Sequence, residues 1–345
     1  MIKRNCYLDV AKFLFSIIII MHHFNIFFFG GYIVVEAFFM ISGYFMMLKI
    51  AGLNDELPIG EQTVKFVLRK YKSLVWFFIP SAIIGYIVYI FALPRGTEYV
   101  LLESAMLIFE IVPLQVAGYS AFYSTGVSWY LGALFLGSMI VFPLAKKFKT
   151  NFTIWIAPLV AILIYGYISF NFNGNMNQPS VWINNIFNSG LLRGVAGLCA
   201  GCFLYECTER LKQKRISVGA KIMFTLLEIS GWAYCVFIMN QHPEGIFDSI
   251  VIFVMFGLLI IGINRLSYLS YLIQFEQTKY LATISTVIYM NHYYWARFIE
   301  KQFGELPLSK QHFLYFILII ASSLLVYLIG SGIMKLINKK SRAEI

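Results

Sequence analysis

The chain has 345 residues, 59% of them hydrophobic and only 13% charged, with a formal net charge of +10. Soluble domains run to roughly 45–50% apolar and about 25% charged residues, so a water-soluble fold of this length could not hide so much apolar surface. Nucleic acid is not the expected partner of the positive charge, because Lys and Arg cluster in short segments between apolar runs, as in cytoplasmic loops of membrane proteins.

The expected fold is therefore all-α: a polytopic membrane helical bundle forming a single domain over residues 1–345. Runs of roughly 20 apolar residues predict about ten transmembrane helices. They fall near 8–29, 31–50, 73–93, 127–145, 152–170, 186–205, 220–239, 246–263, 281–299 and 313–337. Lys3 and Arg4 before the first run give it the look of a signal peptide, but the run is long and no small-x-small site follows, so a retained helix is expected. Residues 51–66 are polar and lead into Arg69-Lys70-Tyr71-Lys72, which reads as a linker and interfacial helix across 51–72. Residues 99–116 carry Glu103 and Glu110 at helical spacing and end near Pro113. They predict a surface-lying or partly re-entrant helix over the outer mouth of a cavity.

With the N-terminus inside, 21 Lys and Arg fall in inner segments and three (Arg95, Lys301, Lys310) in outer ones. That bias predicts both termini in the cytoplasm. The five cysteines (Cys6, Cys199, Cys202, Cys207, Cys235) lie in or beside apolar runs without ligand spacing to His, and no metal is expected.

The first two runs, joined at Gly30-Gly31, carry the groups that hydrocarbon rejects: Asp9, Lys12, His22, His23 and Glu36. An ionisable group inside a membrane helix costs at least about 2.5–3.5 kcal/mol on insertion scales, and usually faces protein or a wet cavity. At a rise of about 1.5 Å per residue, an antiparallel hairpin sets His23 and Glu36 at similar depth near its turn. A buried carboxylate then holds one imidazole nitrogen and leaves the other to take a proton.

The pattern resembles a known family. Arg4-x-x-x-Leu8-Asp9 is followed by His23-Phe24, by Gly30-Gly31, and by Val35-Glu36-Ala37-Phe38-Phe39 with Ser42-Gly43-Tyr44. This looks like the opening of the integral-membrane acyltransferase-3 family. Shorter stretches resemble later family motifs in order: Arg69 to Lys72, Ser128-Trp129-Tyr130-Leu131, Arg193-Gly194 with Gly201, and Ile288-Tyr289-Met290-Asn291-His292. The chain departs from the pattern where Lys12 and Lys72 stand in place of Arg, exchanging a flat fork of donors for a point charge. The resemblance implies an O-acyltransferase that moves an acyl group, usually acetyl, from cytoplasmic acyl-CoA to sugars of cell-surface glycans. The acceptor is a polysaccharide or a lipid-linked glycan, and the expected location is a bacterial plasma membrane.

Such a reaction needs a base for the sugar hydroxyl and positive or hydrogen-bonding groups for the oxyanion. His23 is the candidate base, since neutral imidazole accepts a proton near pH 7. Glu36 orients it, as the acid does in a catalytic triad. A covalent acyl-His route is equally open. His22 lies about 100° round the helix from His23, and the family spacing selects His23. Arg4, Lys12, Arg69 and Lys72 are candidates for the CoA phosphates, although cytoplasmic basic residues also serve topology alone, and Lys12 has Asp9 as a second partner.

Arg193, in a glycine-rich span, and Arg297 and His292, near the outer end of theirs, are candidates for the acceptor. For His292 a structural hydrogen bond is the alternative. Trp129 and Trp295 fit interface anchors, while an aromatic face also suits a sugar ring. A transporter or flippase of a glycan or lipid-linked sugar is the competing function, but the two halves lack a matching pair of broken helices. A glycan polymerase or ligase is a third reading. Its usual large outer loops have one counterpart here, at 94–126.

Overall fold

The computed structural model describes residues 4–53, 57–92, 97–119, 124–212, 216–241 and 245–343, with side chains except at 92, 97, 99 and 338–343. Lys3, Arg95, His242 and parts of the 94–126 segment lie outside the described residues. The helices are α1 (Cys6–His23), α2 (Val34–Ala51), α3 (Ile59–Ala92), α4 (Thr97–Ile111), α5 (Ser128–Asn151) and α6 (Ala157–Asn171). They continue with α7 (Ser189–Leu211), α8 (Val218–Gln241), α9 (Asp248–Ile263), α10 (Tyr268–Leu272), α11 (Thr278–Gln302) and α12 (Leu308–Ala343).

Seven stretches among the described residues are long and apolar enough to cross a membrane, and Asp248–Ile263 is a shorter apolar helix. The sequence reading counts about ten spans. It differs at three places. Helices α5 and α6 lie in one apolar stretch, Ser128–Asn171, interrupted at Lys149 (φ 48°, ψ −123°) and by the five-residue π turn Phe152–Ile156. Helix α9 has only 16 residues. Helix α11 is diluted by polar residues such as Asn291, His292 and Arg297.

The first helix also ends earlier than expected. Asn5 caps its start by accepting a hydrogen bond from the Leu8 N–H at 3.3 Å. The helix stops at His23 and does not run on to Phe29. Asn25 (φ 52°) and Phe28 (φ 57°) adopt left-handed backbone, which a helix cannot continue through. The freed backbone donors find partners on α8: Phe28 N–H donates to Asn240 Oδ1 and Gly30 N–H to Met239 O, both at 2.7 Å. A short 3-10 turn, Gly31–Ile33, then starts α2. The predicted interfacial segment before Ser73 is continuous with its span, since α3 runs unbroken for 34 residues with Pro80 inside it. The helix expected over 99–116 is present as α4, followed by a 3-10 turn at Gln115–Ala117.

The chain packs as two compact units, 1–65 with 133–282 and 66–132 with 283–345. In the first, α2 and α7 run with their backbones in contact. A Cβ added at Gly43 would stand 2.2 Å from Leu198 O, and one at Gly201 would stand 2.2 Å from Met40 O. Small residues at such a crossing let apolar helices gain dispersion contacts that lipid cannot supply. Gly43→Ala is therefore expected to destabilise the protein by about 1–3 kcal/mol through overpacking. Thermal unfolding in detergent reads the loss. Gly257→Ala is the control, because a Cβ there meets nothing within 4 Å.

The start of α7 is positioned by a two-stranded hairpin that the sequence reading missed. Strands β1 (Trp182–Ile183) and β2 (Phe187–Asn188) pair antiparallel, with Trp182 opposite Asn188. Asn184 (φ 51°) and Asn185 (φ 57°) form the turn, and that Asn-Asn pair is the signal that could have revealed it. Asn188 then caps α7 by accepting from the Leu191 N–H at 3.1 Å.

In the second unit, α3 and α11 meet where Ser81 Oγ donates to Met290 O at 2.6 Å. Glu110 of α4 is fully buried and accepts four hydrogen bonds, from the backbone N–H and hydroxyl groups of Ser124 and Thr125. That cluster fastens the segment leading into α5 to the end of α4.

Candidate active site

Close approach of α2 and α7 brings Glu36 and Arg193 together. Arg193 Nε donates to Glu36 Oε1 at 2.6 Å, and the two side chains are 1% and 0% exposed. The other carboxylate oxygen, Oε2, accepts from the Tyr165 hydroxyl of α6 at 2.6 Å. Among the described residues these are the hydrogen-bond partners of Glu36, so the carboxylate expected to hold His23 is instead engaged by a guanidinium and a phenol. The sequence reading assigned Arg193 to the acceptor. The geometry makes it first of all the counter-ion of Glu36. A charge costs several kcal/mol to bury even after relaxation, and only a well-made pair offsets this.

A second buried group adjoins the first. Tyr32, in the turn before α2, donates its hydroxyl to Asp248 Oδ2 at 2.9 Å, and the Met176 N–H donates to the same oxygen at 2.8 Å. The charges of Arg193 and Glu36 both act on Asp248. The ring of Tyr32 meets the His22 ring edge-on, with centroids 5.4 Å apart, and His22 lies 4.8 Å from the ring of His23. Hence the histidine pair, Tyr32, Asp248, Arg193, Glu36 and Tyr165 form one polar group set among apolar helices. His23 is half-buried as the last residue of α1.

At the other end of α1, Asp9 is 5% exposed and gathers the basic candidates. Arg4 Nε lies 2.5 Å from Asp9 Oδ2, and Lys12 Nζ lies 3.9 Å from Oδ1. Lys12 also stands 5.1 Å over the Phe45 ring. A cavity of about 330 Å³ opens beside them, lined by Arg4, Lys212 and Arg265 together with Tyr44 and Phe45. Three cations next to aromatic faces suit a phosphate-bearing ligand with a flat ring. Lys212 and Arg265 were read from the sequence only as loop charges.

The remaining candidates belong to the second unit. Arg69 and Lys72 are exposed on α3. His292 is fully buried, with Nδ1 2.8 Å from Tyr289 O. A carbonyl can only accept, so Nδ1 carries a proton there. Arg297 is exposed and donates to the Tyr293 hydroxyl on its own helix at 2.7 Å. Trp129 is 8% exposed and Trp295 donates to Ser322 Oγ at 2.9 Å, so both pack within the protein and neither is a wholly exposed interface anchor.

Sequence reasoning missed Tyr165, Tyr32 and Asp248. Asp248 was within reach, because it is an ionisable residue inside a predicted span and such residues warrant suspicion. Tyr165 carried no signal among 22 tyrosines.

A family model described as an acyltransferase domain matches residues 5–331. Comparison with curated proteins and with solved structures finds no match. The match spans both compact units and nearly the whole chain, and it contains every residue of the polar group just described: the protein belongs to the integral-membrane acyltransferase-3 family.

Proposed function

We propose that this membrane acyltransferase moves an acyl group, acetyl by preference, from cytoplasmic acyl-CoA to a hydroxyl of an extracytoplasmic cell-surface glycan. In this reading the chain crosses a bacterial plasma membrane about ten times, with both termini inside. The observation that carries the reading is the fully buried Glu36–Arg193 pair with Tyr165, a charged cluster between helices that apolar packing alone would not retain.

The roles follow from the groups. His23 takes the hydroxyl proton as the sugar oxygen attacks the thioester carbonyl, and returns a proton to the departing CoA sulfur. Arg193 supplies positive charge for the oxyanion. Glu36 and Tyr165 hold the guanidinium in place, and Glu36 offsets the second positive charge that appears when His23 is protonated. The cations Arg4, Lys12, Lys212 and Arg265 receive the CoA phosphates, with Arg69 and Lys72 as further donor-side candidates. His292, Arg297 and Trp129 remain candidates for acceptor contacts.

The test uses purified protein in nanodiscs with labelled acetyl-CoA and surface glycan from the parent cell. Acceptor-dependent release of CoA, with the acetyl mass appearing on the glycan, is the expected result. Glycan translocation without CoA release would overturn the reading in favour of a transporter.

A further inference from the structure

Glu228 of α8 takes no part in the group around Glu36, yet it is fully buried. Its helix neighbours Leu226, Leu227 and Ile229 are 64%, 49% and 54% exposed, so an otherwise apolar surface turns a carboxyl inward. Such a group is costly in hydrocarbon and faces a partner inside the protein. Its partner is the loop after α9. Ser267 Oγ donates to Glu228 Oε2 and in turn accepts the Ser270 N–H at 3.0 Å, which caps α10. One turn earlier on α8, Thr225 Oγ1 accepts the Tyr268 N–H at 2.9 Å. Lys221, on the same helix face, lies 4.7 Å and 3.9 Å from the ring centres of Tyr268 and Tyr271. Glu228 is the buried end of this attachment.

The attached loop carries Arg265, which stands in left-handed backbone (φ 54°) two residues before Ser267. A non-glycine residue in that region is held there by its surroundings. The Arg265 guanidinium donates to Gln274 Oε1 at 3.1 Å and lines the 330 Å³ cavity with Arg4 and Lys212. The start of α1, which brings Arg4, is fixed to the same place. Asn5 Nδ2 donates to Ile263 O at 3.2 Å. Tyr7 packs so closely on Gly262 that a Cβ there would stand 1.9 Å from its Cε1, and Glu228 is an electrostatic neighbour of the Tyr7 hydroxyl. Glu228 therefore stands behind the junction of the two segments that bring cations to the cavity. A buried carboxyl is a poor source of stability, since apolar residues of similar size pack as well. What it adds is a fixed place for the Ser267 hydroxyl.

We propose that Glu228 is a positioning residue for the acyl donor: through Ser267 it fixes the loop that presents Arg265 to the phosphates of acyl-CoA. The inference rests on the acyl-CoA reading of that cavity and adds to it a residue outside the cavity. A cation held in place before its ligand arrives loses less freedom on binding. Loss of the Ser267 bond hence weakens donor binding and leaves the chemistry at His23 alone.

The test measures acetyl-CoA binding to the full chain in nanodiscs by calorimetry, with acetyl transfer to surface glycan beside it. Glu228→Ala and Ser267→Ala are each expected to raise Kd and KM for acetyl-CoA about tenfold, with kcat changed less than about twofold. Glu228→Gln keeps an acceptor for Ser267 and is expected to bind within about threefold of the wild-type protein. Adding Glu228→Ala to Arg265→Ala should weaken binding no further, because both act on one contact. Should Glu228→Ala fold poorly, Ser267→Ala removes only one oxygen atom and carries the same comparisons. A lower melting temperature with unchanged acetyl-CoA Kd overturns the proposal and leaves Glu228 a structural residue. Additive losses on Arg265→Ala overturn it as well. Absence of acetyl-CoA binding by the wild-type protein overturns the donor reading and the proposal with it, a result distinct from wild-type binding that the variants do not change.

Discussion

Glu36→Gln is expected to cost the folded protein about 3–5 kcal/mol and to abolish acyl transfer. The substitution keeps the shape of the side chain but removes the negative charge, so the Arg193 guanidinium, 1% exposed, loses its hydrogen-bonded carboxylate inside a helical bundle. Breaking a buried pair by removing one partner costs that much, because the remaining charge keeps its desolvation penalty and loses its attraction. Arg193→Gln should cost a similar amount for the mirror-image reason. The double variant separates scaffold from chemistry. With both charges gone, much of the lost stability should return, and the two single losses should be strongly non-additive, as expected for groups in direct contact. Turnover should not return. Thermal unfolding of the four proteins in one detergent, with acetyl-CoA consumption measured beside it, reads both quantities. Additive stability losses would show that the pair is not made in the folded protein. Recovery of turnover together with stability would reduce the pair to a packing device.

His23→Ala is expected to lower transfer by about 10²–10⁴-fold, the usual contribution of a positioned general base, with little change in unfolding. His23 ends α1 and is half-buried, so its removal empties little core. His22→Ala should behave in the opposite way. The His22 ring packs edge-on against Tyr32, whose hydroxyl is bonded to Asp248, and its loss should loosen that arrangement and lower stability more than turnover. If His22→Ala stops transfer while His23→Ala does not, the base has been assigned to the wrong member of the pair. A single turnover with labelled acetyl-CoA and no acceptor divides the two chemical routes. Label retained on the protein and lost in His23→Ala marks an acyl-enzyme, and its absence marks direct transfer.

Much of the fold was legible because membrane helices are written locally. A run of apolar residues declares itself without reference to any neighbour, since every backbone donor inside lipid is satisfied within its own helix. Glu36, His23 and Arg193 were legible for the converse reason: charge among apolar residues is costly wherever the helix is placed. Sequence order could not say which charge answers which. Arg193 is 157 positions from Glu36, and their meeting depends on the depth at which α2 and α7 cross, set by glycines 43 and 201.

The same limit explains the misplaced end of α1. Residues 24–29 are mostly apolar and read as helix, yet the Phe28 N–H goes to Asn240 and the following Gly30 N–H to Met239 on α8, a competition that no local pattern records. The sequence by itself determined that the chain is a helical membrane acyltransferase-like protein with a few ionisable groups in its apolar runs. Only the tertiary structure decided that Glu36 answers Arg193 and Tyr165, and that Tyr32 joins Asp248 to the histidine pair. Composition and hydrophobic runs are properties of single segments, whereas a hydrogen bond between buried side chains is a property of two helices at one particular depth and rotation.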